Sequence, residues 1–145
     1  MLEIAIVGGG MSGLALGVRL QEKAKDFALF EARGRLGGRV LSRPFASTGI
    51  EADLGATWIW PAREPSIVAL IDTLGLDIVP QPDDGQVLEL SDPDKQPVQM
   101  SQSIHHGAYR VAGGMGALID ALAARLDPAR VHLGYALIEM ADKGD

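Results

Sequence analysis

The chain of 145 residues contains no cysteine, which excludes a disulfide framework, a thiolate nucleophile and a zinc knuckle. It has no basic run. Thirteen Lys and Arg against nineteen Asp and Glu leave a formal charge of −6. Sequence-independent nucleic-acid binding needs a clustered cationic surface, so that class is disfavoured. No stretch reaches the ~18 uncharged apolar residues needed to cross a bilayer. The amino end is apolar but lacks the cationic start of a signal peptide: Glu3 comes early, Arg19 is the first cation, and Gly8-Gly9-Gly10 interrupts the run. A soluble, cytoplasmic protein with no membrane and no nucleic-acid partner is expected. Repeats and low-complexity segments are absent too. Disorder is excluded by an apolar content of 47% and a moderate charge. The length suits about one domain, able to bury roughly 70% of its surface.

What the chain has in excess is glycine, eighteen residues, or about 12% where about 7% is usual. The glycines are clustered, and the hydrophobic pattern around them sets the organisation. Residues 3–7 (EIAIV) read as a buried parallel strand ending in glycines. Leu14, Val18 and Leu20 fit a helix from Gly13 to about Lys23, and residues 27–30 (FALF) a second buried strand. Extended segments follow as far as Trp60. Pro65 starts a helix whose face is Ile67, Leu70, Ile71 and Leu74, with Gly75 as its stop. QVLEL and PVQM flank Ser91-Asp92-Pro93-Asp94-Lys95 as a hairpin. A third helix carries Met115, Leu118, Ile119, Leu122 and Leu126 and stops at Asp127-Pro128. RVHL and ALIEM read as two short strands before a terminal turn. The fold class expected is α/β. Residues 1–60 begin a first domain, 61–104 are an excursion, and 105–145 return to the first domain.

Gly8-Gly9-Gly10-Met11-Ser12-Gly13 matches G-x-G-x-x-G. Alone the pattern is weak, but a strand precedes it, a helix follows, and an acid lies further on. Gly8 permits the tight turn, Gly10 lets the backbone touch a pyrophosphate, and Gly13 lets the helix lie close on the strand. Met11 and Ser12 sit at the helix start, whose free N–H groups and partial positive charge suit a phosphate. Glu31, eighteen residues after Gly13, can accept both ribose hydroxyls and repels a 2′-phosphate. An adenine dinucleotide is implied, NADP least of all. The turn does not choose between NAD and FAD.

Ala32-Arg33-Gly34-Arg35-Leu36-Gly37-Gly38-Arg39-Val40 follows directly. Arginines beside a diphosphate can neutralise it through bidentate hydrogen bonds; a solvated basic loop is the other reading. The string E-A-R-x-R-x-G-G-R after a dinucleotide turn resembles the second signature of the flavin-containing amine oxidase family. Glu51-Ala52-Asp53-Leu54-Gly55-Ala56-Thr57-Trp58 is similar to that family's D-x-G-A-x-W/Y segment, Tyr109 to Met115 to its G-G-M helix entry, and RVHLGYALIEM to its adenine-side strand pair. The resemblance implies a Rossmann-type FAD-binding domain with a parallel sheet and the start of a mixed α+β substrate domain. FAD is the implied cofactor and a small-molecule amine the implied substrate. By the same resemblance Glu31 binds the ribose, Ala32 belongs to the cofactor-binding set, Arg33 and Arg39 lie near the pyrophosphate, and Leu36, Gly37 and Gly38 give backbone contacts. Gly55, Ala56, Thr57 and Trp58 line the flavin, and Leu137 meets the adenine through its backbone.

Members of this family are a few times longer, so the chain reads as an N-terminal portion: a truncation, a proteolytic piece or one half of a split enzyme. Such a piece is expected to dimerise through exposed apolar surface, or to hold FAD poorly without its missing C-terminal half. No catalytic residue can be named, because no Ser-His-Asp set or carboxylate pair follows from spacing. No metal site is expected: His105 and His106 are adjacent and lack further ligands at suitable spacing. Trp58 and Trp60 share one face of an extended segment, which suits a flat ligand or a core. Two other readings stay open: a non-catalytic dinucleotide-binding module, and an NAD-dependent dehydrogenase, the latter disfavoured by the arginine-glycine loop.

Overall fold

Two β-branched or aromatic runs that both lead into glycine-rich turns cannot pair as a hairpin across a twelve-residue helix; they pair in parallel, with the helix as crossover. A computed structural model, which describes residues 2–142 and 144, has this arrangement. Strand β1 (Ile4–Val7) lies parallel to β2 (Phe27–Glu31), joined by helix α1 (Met11–Glu22). Leu29 of β2 faces Val131 of a further parallel strand. Two short hairpin strands, β3 (Ser42–Pro44) and β4 (Glu51–Asp53), occupy the extended stretch before Trp60.

By contact the chain divides into two units, one running up to Thr57 and resuming at Gly113, the other Trp58–Ala112. The second holds helix α2 (Pro65–Leu74), begun by proline and ended by Gly75 in the left-handed conformation, as the sequence predicts. Strand β5 (Ile78–Pro80) pairs antiparallel with β8 (Tyr109–Val111). Strands β6 (Val87–Glu89) and β7 (Val98–Met100) form the expected hairpin. Within its turn Asp92 accepts the N–H groups of Asp94 and Lys95. The small core of this unit is Ile59, Ile71, Ala108 and Val111.

The first unit closes with helix α3 (Met115–Ala123), a 3-10 turn at Pro128–Arg130 and strand β9 (Val131–Leu133). Its sheet runs β1-β2-β9, all parallel. One face is covered by α1, against which α3 packs in turn. Leu14, Phe27, Leu29, Leu118 and Leu122 are almost wholly buried there, each contributing roughly 1.5–3 kcal/mol. A side chain at Gly17 would sit 3.2 Å from Leu126 and 3.4 Å from Phe27, so the small residue sets how closely α1 approaches. Phe30, alternating with Leu29, lies on the opposite face. It stacks on His132 at 5.0 Å, with Tyr135 edge-on to His132.

The last expected strand, residues 136–140, does not form. A strand exists only where its N–H and C=O groups find a neighbour, and no described strand lies beside this segment. Ile138 and Met140 are 96% and 86% exposed. Helix α1 begins at Met11, two residues before the expected start, because Gly10 already serves as its N-cap.

Candidate functional site

Where β1 ends, the chain must reverse into α1 within three residues. Gly8 does this at a φ of 105°, a conformation side chains resist. Its N–H still bonds to the Phe30 carbonyl at 2.8 Å, extending the sheet ladder. A Cβ on Gly13 would strike the Gly8 carbonyl oxygen, so helix and turn touch backbone to backbone. The N-cap Gly10 has no side chain, no acid lies in the first turn, and Leu14 is the first residue to bond back, to Gly10. The amides of Met11, Ser12 and Gly13 therefore begin the helix without intrahelical acceptors.

Glu31 ends β2 beneath this turn and is buried at 7% exposure. Its carboxylate accepts the Gly9 N–H at 2.7 Å and the Arg33 N–H at 2.9 Å. The amide of Arg33, then that of Gly9, hold its pKa below the ordinary 4.5, outweighing burial, with the charges of Arg33 and Arg35 acting the same way. Glu31 is thus an anion at neutral pH. A carboxylate offers about four acceptor positions, so two remain after these amides.

The arginine-glycine loop docks onto the turn through main chain. Gly37 N–H donates to the Gly9 carbonyl at 2.8 Å, and a Cβ on Gly38 would meet the Gly10 Cα at 3.2 Å. The three arginines divide their labour. Arg35 donates to the carbonyls of Leu36, Gly38 and Val40 at 3.0, 2.9 and 3.3 Å and so braces the loop itself. Among the described residues neither Arg33 nor Arg39 forms an ion pair. From the next segment, Leu54 N–H bonds to the Leu41 carbonyl at 2.7 Å. Gly55 approaches the Arg39 carbonyl so closely that a Cβ would overlap it.

These pieces surround a cleft of about 830 Å³, within the range of ligand pockets. Lining it are eleven of the expected residues: Gly8, Gly10, Met11, Ser12, Gly13, Arg33, Gly37, Gly38, Arg39, Gly55 and Ala56, with Val7 and Val40 as apolar walls. It holds two guanidinium groups and no carboxylate. A second cleft of about 450 Å³ carries both signs, Arg35 and Arg43 with Glu51 and Asp120. Only the larger one is biased toward an anion.

The other expected residues lie elsewhere. Glu31 is below the turn, Ala32 is exposed just after it, and Leu36 packs over Gly9. Thr57 is buried, its hydroxyl donating to the Gly55 carbonyl at 3.1 Å. Trp58 belongs to the second unit, where it donates to Gln81 at 3.0 Å and stacks on His105 at 3.9 Å. Leu137 is 57% exposed in the irregular segment after β9. Three or more His, Cys, Asp or Glu grouped for a metal do not occur among the described residues.

Sequence reasoning missed one arrangement. The N-cap of α3, Gly114, offers no side chain, yet its first amides are satisfied from far upstream. Asp53 Oδ1 accepts the Met115 N–H at 2.9 Å and the Ser42 hydroxyl at 2.5 Å, and Ser42 Oγ accepts the Gly116 N–H at 2.8 Å. Such a cap is worth about 1 kcal/mol. Its only signal in the sequence was that G-G-M-G opens a helix with no capping side chain of its own.

Residues 6–74 match the NAD(P)-binding Rossmann-like domain. The chain is 34% identical over 85 residues to the flavin-containing monoamine oxidase AofH of Mycobacterium tuberculosis, covering 59% of this chain and 18% of the relative. It is 33% identical over 89 residues to putrescine oxidase of Kocuria rosea, 61% and 18% of the two chains. A redesigned putrescine oxidase of known structure superposes with a TM-score of 0.74 at 18% identity, covering 90% of this chain and 50% of that one; at that identity the likeness is one of fold. The chain spans about a fifth of the length of the curated relatives it matches. Over these stretches the chain is similar to proteins named flavin-containing monoamine, polyamine and putrescine oxidases, and residues 6–74 carry the match to the dinucleotide-binding domain.

Proposed function

We propose that the chain is the FAD-binding portion of an amine-oxidase-like oxidoreductase, with residues 1–60 and 105–145 as the cofactor domain and 61–104 as the start of the substrate domain. The observation that carries this is the larger cleft: uncapped first-turn amides and two unpaired arginines face one acid-free space. Met11, Ser12 and Gly13 hold the diphosphate through their amides, and Arg33 and Arg39 offset its charge. Glu31, kept ionised, takes the ribose hydroxyls on its two remaining acceptor positions, with Ala32 alongside. Leu36, Gly37 and Gly38 present main chain, Gly55 to Trp58 run toward the flavin, and the Leu137 backbone meets the adenine. Bound FAD supplies an acceptor for the hydride leaving the carbon of an uncharged amine, and its reoxidation by oxygen gives hydrogen peroxide. The residues of the cleft bind and orient.

Exposed apolar residues such as Ile104, Ile138 and Met140 favour cover by a second copy or by further polypeptide. No helix among the described residues is long and apolar enough to cross a membrane, in keeping with a cytoplasmic place. One observation favours a second reading, a non-catalytic dinucleotide-binding module: the arginines are the only ionisable groups lining the cleft, and they stay charged throughout the physiological range. Calorimetric titration of the chain tests the proposal. FAD is expected to bind at least tenfold more tightly than NAD, and NADP most weakly; tighter NAD binding overturns it. Peroxide released on mixing the flavin-loaded protein with amines separates the oxidase from the inert module.

A further inference from the structure

The capping arrangement at α3 joins three stretches of chain that the sequence keeps apart, residues 42, 53 and 114–116. Asp53 is two residues before Gly55, which lines the larger cleft with Ala56. The carboxylate has a single oxygen engaged twice, by the Ser42 hydroxyl and the Met115 amide. Ser42 is committed in both directions, donating to Asp53 and accepting from Gly116. The glycines of the helix entry fit this clasp sterically. A Cβ on Gly114 would lie 3.1 Å from Asp53 Oδ1, and one on Gly116 only 2.8 Å from Ser42 Oγ. The G-G-M-G motif therefore leaves room for two upstream side chains to cap the helix.

Gly55 itself is held against the Arg39 carbonyl with no space for a side chain, so its position depends on how the chain enters from residue 53. The glycine turn and Glu31 serve the diphosphate and the ribose. The resemblance to flavin-containing amine oxidases implies that the segment at residues 55–58 lines the flavin, and its Gly55 and Ala56 do line the cleft. Resting on the FAD reading above, the geometry assigns Asp53 a positioning role: clasped to α3 with Ser42, it sets the wall of the cleft that meets the part of the cofactor beyond the diphosphate.

The assignment separates two ligands that share one end. ADP needs only the glycine turn, the arginines and Glu31, whereas FAD also needs the wall at 55–56. Titrating each into the chain, Asp53→Ala is expected to weaken FAD about tenfold, the scale of one lost cap, and to leave ADP within twofold. Asp53→Asn keeps an oxygen acceptor and is expected to restore most of the FAD affinity. Gly116→Ala, which displaces the Ser42 hydroxyl while sparing the acid, is expected to act like a weaker Asp53→Ala, and it serves if the aspartate variant does not fold. FAD affinity unchanged in Asp53→Ala and Gly116→Ala, equal losses for FAD and ADP, or no rescue by Asp53→Asn overturns the assignment. Failure of the unaltered chain to bind either ligand overturns the FAD reading instead.

Discussion

Helices α1 and α3 both start after a glycine that offers no cap of its own, and they are treated in opposite ways. The first amides of α3 are closed off by Asp53 and Ser42. Those of α1 have no side-chain cap and open onto a cleft whose only charges are positive. A helix end that the protein satisfies itself is part of its architecture; one left open beside unpaired guanidinium groups is kept for something that arrives from solution. The difference supports the proposed binding site without reference to any relative.

Substitutions at three positions break or sharpen that contrast. The largest effect is expected for Gly13→Val, which drives a branched side chain into the Gly8 carbonyl. It should destabilise the fold by about 3 kcal/mol, read by chemical denaturation, and abolish nucleotide binding. Glu31→Ala comes next, since it strips the buried Gly9 amide of its acceptor; a loss of about 2–3 kcal/mol is expected. The sign of its pH dependence follows from the lowered native pKa. The carboxylate's contribution is full above the ordinary 4.5 and fades as pH falls through the native value. Denaturation against pH should therefore show a smaller acid-side decline in Glu31→Gln than in the native chain. Smallest in stability, and opposite in sign, is Ser12→Asp, which gives α1 the negative charge that α3 receives from Asp53. The unliganded chain should gain about 0.5 kcal/mol in a thermal melt, while FAD binding weakens about tenfold or more.

Local signals made the strand, turn, helix and second strand legible, because each glycine and each apolar position answers to neighbours a few residues away. Glu31 was legible for the same reason, its distance along the chain being fixed by one helix and one strand. The clasp was not, since Asp53 and Met115 are 62 positions apart and nothing near either residue announces the other. The absent strand at 136–140 has the same cause: its residues read as a strand, but pairing is decided by a neighbour. Nor does the sequence distinguish Arg35 from Arg33 and Arg39. Which guanidinium turns inward is settled by the directions of three carbonyls that exist only once the loop has closed.

That inward turn changes what an incoming molecule encounters. With the Leu36, Gly38 and Val40 carbonyls already gathered by one side chain, the rim is folded before any ligand reaches it. A rim braced in this way has less conformational entropy left to lose, which would lower the cost of ordering it around a ligand.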